Sequence, residues 1–531
     1  MAVRHVKVGG TLSSGNSTAD DWTLANCYPT ITTAISAAGK AGGDELILED
    51  ETHNVSGMIT CGTGPAGSYL IRARTARVDN DTAPMAVISG SSGTGALFLF
   101  NNTVDRTDLE FRDVLFTKSV THTDQTRPVM CNLGQKTGDF KLTRIWFKDI
   151  AINIASGAWS LGLIAYQAAP TLFPTVTMAD LRYENISGIF GGAGVASTLL
   201  GDHLTPTTAV TVLRNIVARN LSIDTQGASA CFRINGRLSA KDIDLDGFTH
   251  ASTGATSSGH FLTKESTGFG HISRVRFANV SSDAVASSSM IRCHSPHSIR
   301  DILGINVQLV SSNSAEGIGS LVSVFSDARG ITRNVRAYRC RSNNGTAVYY
   351  SNGSMGIVDN VWAEQCEVGE GLFYKGGDGD VAWSNLVAIN NTQLSIGQST
   401  PGLVFYGHVG GSTYRRNCLI GLRDLISKGN TTIATGIPIK FSDDGATYKL
   451  DVIAKRITCR DKTGVRSIIT GLHEININIA DSNLAGTIQN NGTGVITQTD
   501  ITDSDIVVIG GLSDATQLDD RWPVAYRAAM A

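Results

Sequence analysis

A chain of 531 residues with a net charge of −3 and only 17% charged side chains carries no basic footprint for duplex DNA or RNA. No apolar run approaches the roughly 18 residues of a membrane-spanning helix. The nine cysteines are scattered without a CxxC or a metal-ligand spacing, so they read as small buried residues, and neither a metal nor another cofactor is expected.

Residues 1–27 form a polar leader with Trp22 as its one large anchor, expected to extend as an attachment arm. The opening Met-Ala-Val-Arg-His-Val lacks the hydrophobic stretch of a secretory signal, so ordinary export is not expected. Within 28–44, Ile31, Ala34, Ile35 and Ala38 share one face of a short helix that begins after Pro29 and stops at Gly39. Gly42-Gly43-Asp44 then turns the chain into a first strand, Leu46-Ile47-Leu48.

From 45 to 511 one short unit returns about a dozen times. Its clearest copy is Ile272-Ser-Arg-Val275-Arg-Phe277-Ala-Asn279-Val280, where apolar and polar residues alternate as in a strand buried on one face. Asn279 breaks the alternation, and asparagine tolerates the left-handed backbone that turns a corner. Copies follow the pattern apolar-x-apolar-x-Asn/Asp-apolar, as at Leu109 to Asp113, Ile145 to Asp149, Leu181 to Asn185 and Ile216 to Asn220. Weaker ones begin at Ile243, Ile302, Val335, Val361, Leu386, Leu419, Val452 and Ile475. Steps of roughly 23 to 36 residues suit a parallel β-solenoid forming one long domain. Cys340 and Cys366 share a register in adjacent copies and are expected to stack inside as thiols. Residues 512–531 break the repeat; Trp522, Pro523 and Tyr526 are expected to cover the last coil or to dock on a partner.

The start of the chain resembles that of the pectate-lyase-like superfamily, where T-I-x-x-A-I-x-A-A-x-x-G-D-x-I-x-V lays a helix over the open end of the stack. Thr30-Ile31, Ala34-Ile35, Ala37-Ala38, Gly43-Asp44 and Leu46 to Leu48 match it; Thr52-His53 stands where Gly-x-Tyr usually follows. The fold so implied is all-β: a right-handed single-stranded parallel β-helix with an N-terminal capping helix.

Register lets outward residues be written as rows along the coils. One is Glu110, Trp146, Arg182, Val217, Asp244, Arg276, Arg336, Trp362, Val387 and Ile420; the next is Arg112, Lys148, Glu184, Arg219, Asp246, Ala278, Tyr338, Glu364, Ile389, Leu422 and Lys455. Rings stack on sugar faces and guanidinium groups bind hydroxyls or uronates, so Arg276, Arg336, Tyr338 and Trp362 are the candidate glycan-binding residues. Asp244 and Asp246 share a face at about 6.5 to 7 Å and, with Glu364, are the candidate acids and bases for cleaving a glycosidic bond. Glu364, Glu367 and Glu370 form a second acidic group, and Arg292-Cys-His294-Ser-Pro-His297 either gathers bases or makes a turn. The competing reading of both rows is an ordinary solvated face or a subunit contact, and the later apolar members suggest that part of it is covered.

The familiar motifs of polygalacturonases and pectate lyases are not intact. A β-helix without a secretion signal is similar to the shafts of bacteriophage tailspikes and fibres. That resemblance implies a virion structural protein assembled in the host cytoplasm, homotrimeric, contacting host surface glycans and joining other virion proteins through its N-terminal arm. The alternatives are a polysaccharide depolymerase, hydrolase or lyase, and a capsid-decorating or baseplate protein without a glycan role.

Overall fold

The computed structural model describes most of residues 3–502. The longer stretches outside the described residues are 38–43, 62–66, 101–106, 167–173, 202–208, 253–257, 312–317, 395–401, 410–417 and 444–449, with everything past 502. The tail expected to dock or cap, 512–531, lies outside the described residues. With 70% strand and 3% helix the chain is all-β, and its strands stack in parallel as in a β-helix solenoid. Where the sequence suggests one long domain, contacts group the chain into two compact units, Met1–Gly270 and His271–Ala531.

In the first unit Val3–Val6, Asp44–Leu48, Gly67–Ala73, Thr107–Arg112, Thr137–Thr143, Thr175–Phe190, Val210–Thr225 and Arg237–Ser252 pair in parallel, each on the next. A second sheet carries Ser197–Gly201, Ala228–Ile234 and Ser258–Lys264. Because every second residue of a strand faces inward, equivalent residues of successive coils meet as columns. Phe116, Phe147 and Tyr183 stack at 5.6 and 5.0 Å, and Tyr183 meets Phe232 edge to face at 6.0 Å. The leader is no free arm over Val3–Val6, which forms part of the sheet, and the His5 ring stacks on Trp22 at 4.1 Å. The expected helix is Ile31–Ala37, packed against Val3–Val6, Cys27–Tyr28 and Thr52–Val55 with Ile31, Ala34 and Ile35 buried. Thr30 caps it reciprocally with Thr33: the Thr33 amide donates to Thr30 Oγ1 (3.1 Å) and the Thr30 amide to Thr33 Oγ1 (3.2 Å).

The second unit repeats the plan. Its main sheet runs through His297–Ser311, Gly330–Tyr338, Gly356–Glu364, Val381–Ile389, Cys418–Lys428, Leu450–Cys459, Ile475–Leu484 and Ile496–Thr502. Its second sheet runs through Ser287–Cys293, Ile318–Phe325, Tyr349–Asn352, Phe373–Gly376, Gly402–Val409 and Ile437–Asp443. Between them Tyr349, Trp383, Phe405 and Phe441 form the aromatic core, at 5.2, 5.3 and 5.8 Å. Cys340 and Cys366 are buried free thiols, as expected. Below them the column turns polar. Asn391 Oδ1 accepts the Cys366 amide (2.8 Å), Asn430 Oδ1 the Asn391 amide (2.9 Å) and Asp461 Oδ1 the Asn430 amide (3.0 Å).

The Asn corners are real, and most coils have two, five residues apart. Left-handed residues occur at Asp180 and Asn185, Asn215 and Asn220, Asp242 and Gly247, and in the second unit at Arg274 and Asn279, Asp301 and Asn306, Asn334 and Arg339, Asn360 and Gln365, Asn385 and Asn390. Their side chains bond from coil to coil. Asn185 Nδ2 donates to Asp149 Oδ1 (2.8 Å), Asn215 to Asp180 (2.8 Å), Asn334 to Asp301 (2.7 Å) and Asn360 to Asn334 (2.8 Å). Two corner arginines pair with a carboxylate: Arg144 binds Asp113 in bidentate fashion (2.6 and 2.8 Å), and Arg456 does so with Asp424; Arg339 instead donates to Gln365 Oε1 (3.1 Å).

Two corners per coil also explain a register error. The copies at Leu109, Leu419, Val452 and Ile475 lead to the first corner (Asp113, Asp424, Arg456, Asp481), whereas the others end on the second. Glu110 is therefore level with Lys141, and Lys455 with Arg423, in a different row from those expected. Ile420 and Leu422 point inward, 0% and 2% exposed, and Val387 is followed in its outward row by Ile426.

Candidate functional site

On the outward face of the first unit's main sheet the expected carbohydrate row is a mesh of ion pairs. Glu184 accepts from Arg182 Nε (3.1 Å) and pairs with Lys148 (3.8 Å). Trp146 is 7% exposed, with Arg182, Arg77 and Lys148 over its ring at 4.4, 5.4 and 5.5 Å, so its face is already occupied. Asp244 and Asp246 are half-buried on Arg237–Ser252, and Arg219 ion-pairs with the Asp244 carboxylate while its Nη1 donates to the Asp244 carbonyl (3.0 Å). Glu364 belongs to the second unit, in register with Tyr338 and Ile389. The acidic trio is thus divided between units.

The four glycan-binding candidates lie on the second unit's main sheet, all half-buried. Arg336 and Trp362 are adjacent in one row, Tyr338 and Glu364 in the next. Arg276 stands apart: the outward positions beside Arg336 and Tyr338 in the preceding coil are Leu303 and Ile305, both buried. The Arg339 guanidinium lies 4.8 Å over the Tyr338 ring. These residues do not make a continuous platform.

The second sheet of this unit does. Its strands carry pairs of aromatic residues, Tyr349-Tyr350, Phe373-Tyr374 and Phe405-Tyr406, in register with one another. Alternation sends the first of each pair into the core and the second to the outer face, where Tyr374 and Tyr406 are half-buried and Tyr350 is only 9% exposed. Tyr350 stacks on Tyr374 (4.8 Å, 10°), and Tyr374 meets Tyr406 edge to face (5.2 Å, 78°). Phe325 extends the row at 5.6 Å from Tyr350, and the His294 ring stacks on Phe325 at 4.9 Å. Cations close both ends: Arg292 lies 4.7 Å over Phe325 and Lys440 5.5 Å over Tyr406. Lys375, next to Tyr374, is fully buried and donates from Nζ to the carbonyls of Gly376 (2.6 Å) and Gly377 (2.8 Å).

The base-rich turn divides between the two sides of the wall. His294 faces outward and accepts from Arg292 Nε (2.8 Å), whereas His297 is buried, with Nδ1 3.1 Å from the Ser295 carbonyl. Burial lowers the pKa of His297 to about 4, which holds it neutral. Among the acidic residues Glu370 is distinct. Burial raises its pKa to about 7, and its carboxyl has no hydrogen-bond or ion-pair partner among the described residues. Its neighbour Gly371 lies beside the aromatic row: a Cβ there would be 3.5 Å from Tyr406 Cβ.

Glu370 belongs to the second acidic group that the sequence offers, whereas the tyrosine row lies off the main sheet that the outward rows follow; the paired aromatics, two of them Phe-Tyr, are its signal in the sequence. Among the described residues no His, Cys, Asp and Glu group has the arrangement of a metal site, and no helix is long and apolar enough to cross a membrane. No protein-family model matches the chain, and no curated protein or solved structure matches it significantly.

Proposed function

We propose that the protein is a β-solenoid that holds an acidic polysaccharide along the second sheet of its C-terminal unit. The observation that carries this is the row Phe325, Tyr350, Tyr374, Tyr406, with Arg292 and Lys440 at its ends and Lys375 buried behind it. Stacked rings present edges and hydroxyls, and the turn at Tyr406 offers a ring out of the stack, which suits a chain of sugars meeting several coils at once. The cations favour uronate or other carboxylated sugars. In the setting that the tailspike resemblance suggests, this would be a virion appendage contacting a host surface glycan.

A second reading, cleavage of the bound chain, is favoured by Glu370. A carboxylic acid that keeps its proton near neutral pH is matched to protonating a leaving glycosidic oxygen. Both are tested by incubating the protein with a panel of acidic and neutral bacterial surface polysaccharides, measuring bound polymer and new reducing ends. Retention of acidic polymers alone supports the adhesive reading. New reducing ends abolished by Glu370→Gln, with binding kept, support cleavage, and retention of none of the polymers overturns both.

A further inference from the structure

The main sheet of the second unit carries an apolar stripe on its outward face. Ile331, Ile357, Ala382, Gly421 and Ile453 are level with one another in successive coils. The three isoleucines are 39%, 42% and 54% exposed, in a chain whose other strand isoleucines mostly face the core. At about 4.8 Å per coil the stripe is about 19 Å long. One side is lined by Arg333, Asp359, Ser384, Arg423 and Lys455, the other by Arg329, Asp380, Leu419 and Asp451.

Among the described residues nothing requires Gly421 to be glycine. It is not among the left-handed positions, and a Cβ would meet its nearest neighbours at ordinary distances of 3.7 to 4.0 Å. What its absence of a side chain provides is a dip in the stripe, two coils from Ile357. The sizes then read large, large, small, none, large, and this order is self-complementary about Ala382. Turned over end to end, a second stripe places Ile331 on Ile453, Ala382 on Ala382 and Ile357 into the dip at Gly421. The same operation brings Arg329 opposite Asp451 and Asp359 opposite Arg423, but also Arg333 opposite Lys455 and Asp380 opposite its own copy, so the flanking charges are mixed and the fit of sizes carries the arrangement. All of these flanking contacts lie at the solvated rim, where salt screens them. The parallel arrangement stacks isoleucine on isoleucine at three levels instead of only the two ends and leaves a gap at Ala382 and Gly421, while setting Arg329 against Arg333 and Lys455 against Asp451.

We propose that this stripe is a two-fold interface with a second copy of the chain, the two solenoid units antiparallel. Isologous contact of one patch with itself is what two-fold symmetry requires. The test is the mass of the full-length protein at tens of micromolar by sedimentation, for wild type, Gly421→Leu and Ile357→Asp. Both substitutions are at solvent-facing positions, so circular dichroism is expected to stay at wild-type values while a wild-type dimer becomes a monomer, the thermal midpoint falling only by what association contributes. A short bis-maleimide should couple Ile331→Cys to Ile453→Cys in a mixture and leave Ile331→Cys alone uncoupled; the eight described native thiols are buried. A wild-type monomer, the trimer implied by the tailspike resemblance, a dimer that survives both substitutions, or coupling of Ile331→Cys to itself would each overturn the proposal.

Discussion

Glu370 keeps its proton up to about pH 7 because burial disfavours its anion, and His250 and His297 lose theirs down to about 4 because burial disfavours their cations. The two effects act oppositely on stability. Below the unfolded histidine value near 6.5 the unfolded chain takes up protons that the folded chain refuses, so stability falls as pH drops from about 6.5 towards 4. Glu370 works the other way: the folded chain holds a proton that the unfolded chain has released, so its cost appears as pH rises from 4.5 through 7. At about 1.4 kcal/mol per unit, the histidines together remove about 4 kcal/mol between pH 7 and 5 while Glu370 returns about 2. Glu370→Gln is therefore expected to be more stable than wild type at pH 8, by up to about 3 kcal/mol, and to lose stability more steeply on acidification. Denaturant unfolding at pH 8, 7 and 5 measures this; parallel curves for the two proteins would show that Glu370 is ionised normally.

At the scale of the element, the corners set the coil. Asn220 has φ of 51° and its Nδ2 donates to Asn185 Oδ1 at 3.2 Å. Asn220→Ala is expected to cost about 1–2 kcal/mol for the left-handed backbone in addition to the lost bond. Asn220→Gly is expected to cost only the bond and glycine's extra chain entropy, so the order of thermal midpoints is wild type, Gly, Ala. Arg144→Leu leaves the Asp113 carboxylate, 3% exposed, without its bidentate partner and is expected to cost about 3–5 kcal/mol. Equilibrium unfolding of the three variants checks both. The second corner was legible in the sequence because Asn279, Asn220 and Asn185 interrupt an alternating pattern. The first was passed over, although Asp180, Asn215, Asp242, Asp301, Asn334, Asn360 and Asn385 precede the unit so regularly. The strand before it has the same alternation as the strand between the corners, so a pattern of period two cannot tell them apart. That ambiguity is what moved Ile420 and Leu422 from the core to the surface on paper.

At the scale of the whole molecule, repeat and strand alternation carried the fold, and the same repetition hid the site. A residue type recurring on the main sheet catches the eye because that sheet's copies are long; Tyr350, Tyr374 and Tyr406 lie on short strands of varying spacing. The charged main-sheet rows of the first unit are consumed by pairing, Arg219 with Asp244 and Arg182 with Glu184, which spacing alone does not reveal. The outward aromatic row is in register from coil to coil and has cationic ends, and the functional account rests on it. The measurement that tests this most directly is the affinity of one retained polysaccharide for wild type, for Tyr374→Ala combined with Tyr406→Ala, and for Arg336→Ala combined with Trp362→Ala. Each removed ring is expected to weaken binding by about 1 kcal/mol or more, so the tyrosine pair should lower affinity at least about tenfold while the main-sheet pair leaves it unchanged. Loss of binding in the main-sheet pair with the tyrosine variant at wild-type affinity would contradict the account.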